Sequence, residues 1–380
     1  MDSALRQAHV EEVLKRLRSW LATSGLEGIV FTQPAGVAWV TGGMNPAIDR
    51  FSPTDLVWVA VGGDRQAIIT TVIERDRVEE DSSPGDYGFE LVAVPWFGDS
   101  QFVDAAVEFL DLPPRALATD GHPFFGVQAG ASMVELRLAH TEAAQSVLRL
   151  LGRDTARALE AALCAWLPGE QDRAVQARLV AELEQRGAET VVALVSGDAR
   201  VERFRHPLAA GIPIERLVMG VIVSRRDGLH VAATRIASAE RLDAELARRV
   251  ALTRQVETAV LEACHVGSTY GTATEALERS YAAVGQPLAW QEHYQGGPIG
   301  YATREFEFAP RERASRWWDC PVDVGHALAW NPSLRGGAKV EDTFLVGHEG
   351  LECITPPGDW PTEPDVGDRG RIRAAVLELS

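Results

Sequence analysis

The sequence predicts an α+β protein with two domains: a small α/β domain, then a larger domain in which helices stack on one curved antiparallel sheet. Three observations predict this. The 380 residues are enough for two well-filled cores. Strand and helix patterns alternate up to about Leu136. Two long helical patterns then precede a series of strands, an order typical of helices stacked on an antiparallel sheet. We therefore expect domains at residues 1–135 and 136–380.

The first domain shows short elements with clear end signals. Apolar residues at helical spacing predict a helix from Val10 to Ser24, which ends at Gly25, a favourable C-cap. Gly28–Phe31 is typical of a buried strand, and Pro34–Gly42 begins with a turn and ends in a strand or a helical turn. The Gly62-Gly63-Asp64 segment lies between two apolar runs and predicts a β-hairpin.

The second domain begins with helical patterns and continues with strands. The expected helices cover residues 136–167, 175–183, 239–266 and 272–285, and the expected strands cover residues 191–195, 217–223, 229–235 and 340–346. We see no internal repeat. The stretch from Pro356 to Asp368 is rich in Pro, Gly and Asp and is expected to run over the surface.

The composition excludes several classes of partner. A formal net charge of −17 argues against nucleic acids and anionic membranes, because both require a basic surface. The four scattered cysteines contain no C-x-x-C pair and are expected to be reduced, packed thiols of a cytoplasmic protein. No run approaches the roughly 18 apolar residues of a membrane span, so we expect a soluble intracellular protein.

The stretch from Ala329 to Val346 carries the strongest site signal. Glu341 lies on a predicted strand that ends in an apolar run, and a buried carboxylate is costly unless a charged group meets it. Lys339 lies two residues earlier and on a strand would point to the same face. Lys339 is therefore either a partner of Glu341 or a solvent-facing lysine.

Several motifs in family order resemble the creatinase/aminopeptidase P group of the pita-bread superfamily. The N-terminal match is GLEGIVFTQPAGVAWVTGG, and the C-terminal matches are LPGEQDRAVQARLVAELEQRG, FRHP, GLHVAATR, HYQGGPIGY, AWNP and KVEDTFLV. The resemblance implies a C-terminal pita-bread domain, like that of creatinase and methionine aminopeptidase, behind a smaller N-terminal α/β domain of the creatinase type. It also implies a homodimer.

The metal positions of that family are where this sequence differs. Family peptidases hold two divalent ions with two Asp, one His and two Glu. The corresponding positions here are Val221, Ala232, Gly297, Asn331 and Glu341, so only Glu341 matches a ligand. One carboxylate and one amide cannot hold two divalent cations. We therefore expect no metal and no other cofactor.

The resemblance also suggests which residues do the chemistry. His206 of FRHP matches the histidine that creatinases use to transfer protons without a metal, and its imidazole is suited to general acid–base work. The alternative for His206 is a packed histidine. Arg235 lies on a strand among Ala, Thr and Ile and needs a buried carboxylate partner, which is either Glu341 or a substrate carboxylate in a site, or a purely structural partner.

The glycine-rich segment after His293 suggests close approach of the backbone to a ligand or a neighbouring strand. Behind it, Tyr301, Arg304 and Glu305 are candidates to surround a small zwitterion, with Arg304 taking a carboxylate. Asn331 and Lys339 complete the expected substrate-binding set. By resemblance, a loop carrying Asp49 and Arg50 would reach the site of a partner subunit.

Three functions remain open from the sequence. The first is a metal-independent, creatinase-like hydrolase that cleaves a C–N bond in a small polar amino-acid derivative, with His206, Glu341 and Arg235 as its catalytic residues. The second is a lyase or isomerase on the same scaffold. The third is a non-catalytic pseudopeptidase that binds a small ligand or peptide.

Overall fold

The computed structural model describes residues 1–44, 48, 56–98, 100–365, 367 and 371–379. These residues divide into two compact units, one of residues 1–144 with 227–229, and one of residues 145–226 with 230–380. No described helix is both long enough and apolar enough to cross a membrane.

The first unit is built on a six-stranded mixed sheet with strand order β4-β3-β2-β1-β5-β6. Its strands are β1 Gly28–Phe31, β2 Val57–Gly62, β3 Arg65–Thr71, β4 Glu90–Val94, β5 Leu117–Thr119 and β6 Val127–Gln128. Its helices are α1 Ser3–Ser24, α2 Pro34–Thr41, α3 Arg75–Ser82, α4 Gln101–Leu110 and α5 Gly130–Leu138.

Local sequence signals account for several of these boundaries. Asp2 accepts the Leu5 N–H at 2.9 Å and begins α1, and Gly25 ends it in a left-handed conformation, as expected from the sequence. The hairpin predicted around Gly63 is confirmed, since Gly62 pairs with Arg65 across the turn between β2 and β3. The segment from Pro34 is a helix and not a strand, because proline at the first helical position favours helix initiation.

The second unit carries two four-stranded sheets. In the first sheet the order is β20-β11-β10-β8, and in the second it is β12-β13-β16-β17. Its strands are β7 Glu170–Gln171, β8 Glu189–Gly197, β9 Pro213–Ile214, β10 Leu217–Arg226, β11 Leu229–Ser238, β12 Gly296–Ile299, β13 Ala327–Trp330, β14 Ser333–Leu334, β15 Ala338–Lys339, β16 Phe344–Gly347, β17 Gly350–Cys353, β18 Thr362–Pro364, β19 Ile372–Ala374 and β20 Leu377–Glu378.

The helices of this unit are α6 Glu142–Cys164, which begins three residues before the division, α7 Asp172–Gln185, α8 Asp198–Arg203, α9 Ala244–Ala263 and α10 Tyr270–Ala283. Helix α6 packs closely on β10, where a side chain at Gly220 would collide with Leu159 of the helix. The single helix expected over residues 136–167 is wrong in detail, because α5 ends at Leu138 and α6 starts at Glu142. The expected strand over residues 340–346 is also shorter, since regular pairing begins only at Phe344.

Hydrogen bonds between β11 and the segment just before β16 fix the part of the chain that carries the site. The Thr234 N–H donates to the Glu341 carbonyl oxygen at 2.9 Å. Two residues later in this segment, the Thr343 hydroxyl donates at 2.8 Å to the carbonyl oxygen of Ala232, which lies two residues before Thr234. Residues 340–343 are therefore held against β11 although they form no regular strand.

Buried His230 also joins the two sheets and predicts a pH dependence of stability. Its Nδ1 donates to the Gly300 carbonyl oxygen at 2.9 Å, and burial lowers the pKa of this imidazole from 6.5 to about 4. Between those values the unfolded chain binds more protons than the folded chain, so the free energy of unfolding rises with pH. We expect this contribution, about 3 kcal/mol, to be complete above pH 6.5 and lost as pH falls through 4.

His230→Asn keeps an N–H donor without a titrating group and should remove that part of the pH dependence. The measurement is urea unfolding of both proteins at a series of pH values between about 4 and 7. Parallel stability curves for wild type and variant would show that His230 is not the responsible group.

Candidate active site

Glu341 lies at the centre of a buried polar cluster in the second unit. Its side chain is only 2% exposed. The Thr234 hydroxyl donates to Glu341 Oε2 at 3.0 Å, so the strand β11 holds both the backbone and the carboxylate of this residue. The sequence requires a charged partner for a buried Glu341, and the structure supplies two, Arg304 and Lys339.

Two cationic side chains from different segments meet this carboxylate. Arg304 Nη2 lies 3.3 Å from Glu341 Oε1, and Lys339 Nζ lies 3.9 Å from Oε2. Burial lowers the pKa of Lys339, and the charge of Glu341 opposes that shift. Of the two alternatives that the sequence left open for Lys339, the structure has the one in which it faces Glu341. Together the two cations neutralise Glu341 from within the protein.

Two histidines stack above this cluster. Lys339 Nζ lies 3.4 Å from His293 Nε2, and the rings of His206 and His293 stack with centroids 5.2 Å apart at 25°. Burial lowers the pKa of His206, and the positive charge of Lys339 lowers it further. The same two causes lower the pKa of His293. Both shifts favour the neutral imidazoles near pH 7.

The histidine pair lines a groove of about 670 Å³, which we call the histidine groove. Its wall carries three carboxylates and aromatic rings, from Glu292, Glu307, Glu312, Trp290 and Phe308. Glu307 accepts the Gly296 N–H at 3.1 Å, and burial raises its pKa. Glu292 is already paired with Arg205 and Arg335. The other two carboxylates of the wall, Glu307 and Glu312, suit a ligand with an ammonium or guanidinium group.

Arg235 does not meet Glu341, which corrects the expected partner. Its guanidinium donates instead to Asp342 Oδ1 at 2.8 Å, to Glu160 Oε1 at 3.2 Å and to the Thr355 carbonyl oxygen at 2.9 Å. The reason is the alternation of side chains along a strand: Thr234 points to Glu341, so its neighbour Arg235 points to the opposite face. The structural partnership considered from the sequence is the one that forms.

The other expected binding residues that the structure describes do not line the histidine groove. Tyr301 and Glu305 are buried, and Glu305 accepts the Ala302 N–H at 3.2 Å. Asn331 is also buried, and its backbone N–H donates to the Gln295 carbonyl oxygen at 3.0 Å. The Arg304 guanidinium contacts Glu341. Tyr301, Arg304 and Glu305 therefore do not form the open binding site that we expected for a zwitterion. Arg50 and Asp49 lie outside the described residues.

Sequence reasoning missed the acidic wall of the histidine groove. Glu305 and Glu307 alternate with phenylalanines in the segment Glu305–Phe308, a period-two pattern that separates the two faces of an extended chain. The alternation puts Glu305 and Glu307 on one face, but Glu305 is buried and Glu307 is exposed, so it does not predict which of the two lines the groove. Nothing local to Glu292 or Trp290 marks them as groove residues, because they arrive from another segment of the chain.

Comparison with solved structures identifies the architecture. The chain is similar to dipeptidase PepE from Mycobacterium ulcerans, at 17% identity over 93% of this chain and 97% of that chain, with a TM-score of 0.75. It is similar to an Xaa-Pro dipeptidase from Bacillus anthracis, at 19% identity over 92% and 99%, with a TM-score of 0.71. The chain has the pita-bread fold.

This confirms the predicted fold class, in which a smaller N-terminal α/β domain is followed along the chain by a pita-bread domain. This chain is also similar to the N-terminal domain of FACT complex subunit SPT16 from chickpea, Cicer arietinum, at 10% identity over 94% of this chain and 97% of that chain, with a TM-score of 0.68. No family model and no curated protein matches the sequence. At these identities the likeness shows the fold alone.

The residues at the positions where the resemblance implies metal ligands do not fit a pair of divalent ions. Val221 and Ala232 are buried and apolar, and Gly297 offers no side chain. Glu341 already contacts Arg304 and Lys339, whose charges oppose a cation at the same oxygens. Among the described residues, no group of three His, Cys, Asp or Glu side chains is placed to hold a metal.

Proposed function

We propose that this protein is a metal-independent hydrolase that cleaves a C–N bond in a small, cationic amino-acid derivative. The observation that carries the proposal is a neutral histidine pair open to an acidic groove, above a carboxylate neutralised by the protein's own cations. The dipeptidases named above are C–N hydrolases by their names, which supports the reaction class for this scaffold. The homodimer implied by the resemblance stays a prediction.

In this proposal His206 is the general base and then the general acid. Its neutral imidazole takes a proton from water as the water oxygen bonds to the carbon of the scissile C–N bond. The same imidazole then gives that proton to the nitrogen as the C–N bond breaks, so no proton is lost or gained. His293 stacks on His206 and is held by Lys339, which fixes the position of the reacting ring.

The acidic wall would bind the cationic end of the substrate. Glu307 accepts backbone N–H groups and lies near the charge of Arg304. A substrate ammonium or guanidinium would pair with the carboxylate of Glu307 and so be preferred over a neutral analogue.

The test is a screen of guanidino, N-methyl and N-acyl amino acids and small dipeptides in the presence of EDTA. We expect turnover of a cationic substrate in chelator, with weaker turnover of its neutral analogue. Reaction in ¹⁸O-labelled water should place the label in the product. Turnover only after addition of Mn²⁺, Co²⁺ or Zn²⁺ would refute metal independence, and an unlabelled product would favour the lyase or isomerase.

A non-catalytic binder is the second candidate, because the same fold is found in a domain of a complex subunit, SPT16. In that case a cationic amino acid should bind without being consumed. Calorimetric titration separates the two: binding that is equal in wild type and His206→Ala, with no product, would favour the binder.

A further inference from the structure

A second cavity of the pita-bread unit, outside the histidine groove, is lined by an unusual number of arginines. The cavity measures about 440 Å³ and lies against the first half of α9, the segment 286–292 and β14. Among the described residues its charged lining consists of Arg205, Arg248, Arg249, Arg335, Glu245 and Glu292. We call it the arginine cleft; it shares only Glu292 with the charged wall of the histidine groove.

The cleft is positively charged, although the chain as a whole is negatively charged. The chain carries a formal net charge of −17, yet four guanidinium groups face two carboxylates here. Each carboxylate is already shared by two arginines. Glu245 lies 3.3 Å from Arg248 Nε and 3.0 Å from Arg249 Nε, and Glu292 accepts from Arg335 Nε at 2.9 Å and also from Arg205. A local positive surplus therefore remains after every internal pair is formed.

The arginines of the cleft keep free donors. Arg248 and Arg335 use only Nε for their carboxylates, so their terminal amino groups make no hydrogen bond to the described part of the chain. Arg205 is mostly buried, and its Nε has no partner among the described residues. A planar guanidinium with two free amino groups is the group best suited to a two-pronged contact with an oxyanion.

We propose that the arginine cleft binds a small, multiply charged oxyanion, such as a phosphate group or a dicarboxylate. Two negative charges balance the surplus, and the free amino groups of Arg248 and Arg335 provide the hydrogen bonds. Leu252, Leu288 and Leu334 form an apolar part of the wall. The volume lies within the range of small-molecule sites. The proposal is independent of the reaction proposed for the histidine groove.

The experiment is calorimetric titration of the whole protein with inorganic phosphate, at neutral pH and with ionic strength matched by NaCl. We expect one saturable site per chain with a Kd of about 1 mM or tighter. Arg248→Gln and Arg335→Gln should each weaken binding by about tenfold or more. Succinate titrated in place of phosphate shows which of the two anion types the cleft prefers.

The matched control is Arg313→Gln. Arg313 is 73% exposed, close to the 71% of Arg335, and it pairs with Glu275 outside the cleft. It should leave binding unchanged, and thermal melts should show all variants folded, because each side chain is on the surface. Heats that do not saturate, or that are equal in all four proteins for both anions, would mean an adventitious ion only and would overturn the proposal.

Discussion

His206→Ala should lower kcat by about 10²–10⁴ while leaving the protein folded, because general acid–base catalysis contributes that much to a typical rate. His206 is exposed to solvent and stacks on His293, and desolvation and the charge of Lys339 lower its pKa, which favours the neutral imidazole. Alanine removes the proton-transfer group and leaves no buried charge without a partner. The measurement is steady-state kinetics on the substrate found by the screen, after thermal melts confirm the fold.

The pH profile distinguishes catalysis by His206 from a merely structural role. Since the pKa of His206 is lowered, the acid limb of kcat/KM should lie below pH 6.5. Lys339→Met removes a charge that lowers this pKa, so it should move the limb to higher pH. His265→Ala, at an exposed histidine outside the groove, is the control and should keep full activity. Full turnover of His206→Ala would place the catalytic group elsewhere.

Arg235→Met should reduce the free energy of unfolding by about 3–5 kcal/mol, the cost of leaving buried charges without their partner. Arg235 is buried between Glu160 and Asp342. Burial alone would raise the pKa of Asp342, but the charges of Arg235 and Arg373 outweigh burial and lower it. Methionine has a similar length, so the loss reports the charge and its hydrogen bonds more than a cavity.

The measurement for Arg235→Met is urea unfolding at neutral pH. Arg75→Met is the control, because Arg75 is half-exposed and pairs only with the exposed Asp76 among the described residues; it should change stability by less than about 0.5 kcal/mol. Adding Glu160→Gln to Arg235→Met should restore part of the loss, since it removes one of the carboxylates left without a cation. An unchanged midpoint for Arg235→Met would contradict the assignment of this pair as a structural centre.

The sequence alone could identify the fold and much of the buried cluster. Motif order predicted the pita-bread fold, and the unfavourable burial of Glu341 predicted a nearby cation, which is present as Lys339 and Arg304. The fold prediction came from the family resemblance of the motifs, whereas the Glu341 prediction depends on local properties: the polarity of its segment and the two-residue spacing from Lys339. The turns at Gly25 and Gly63 were local signals of the same kind. The alternation along β11 was equally local, and it already separates Thr234 from Arg235.

Only the tertiary structure decided which distant partners these residues meet. Arg235 required a carboxylate, but Glu160 lies 75 residues away and Asp342 lies 107 residues away, and no local period relates them. The acidic wall of the histidine groove and the arginine cleft have the same origin, since each brings together segments remote in the chain. Local sequence fixes which face a side chain takes on its own strand or helix, whereas the partner across that face depends on how whole elements pack.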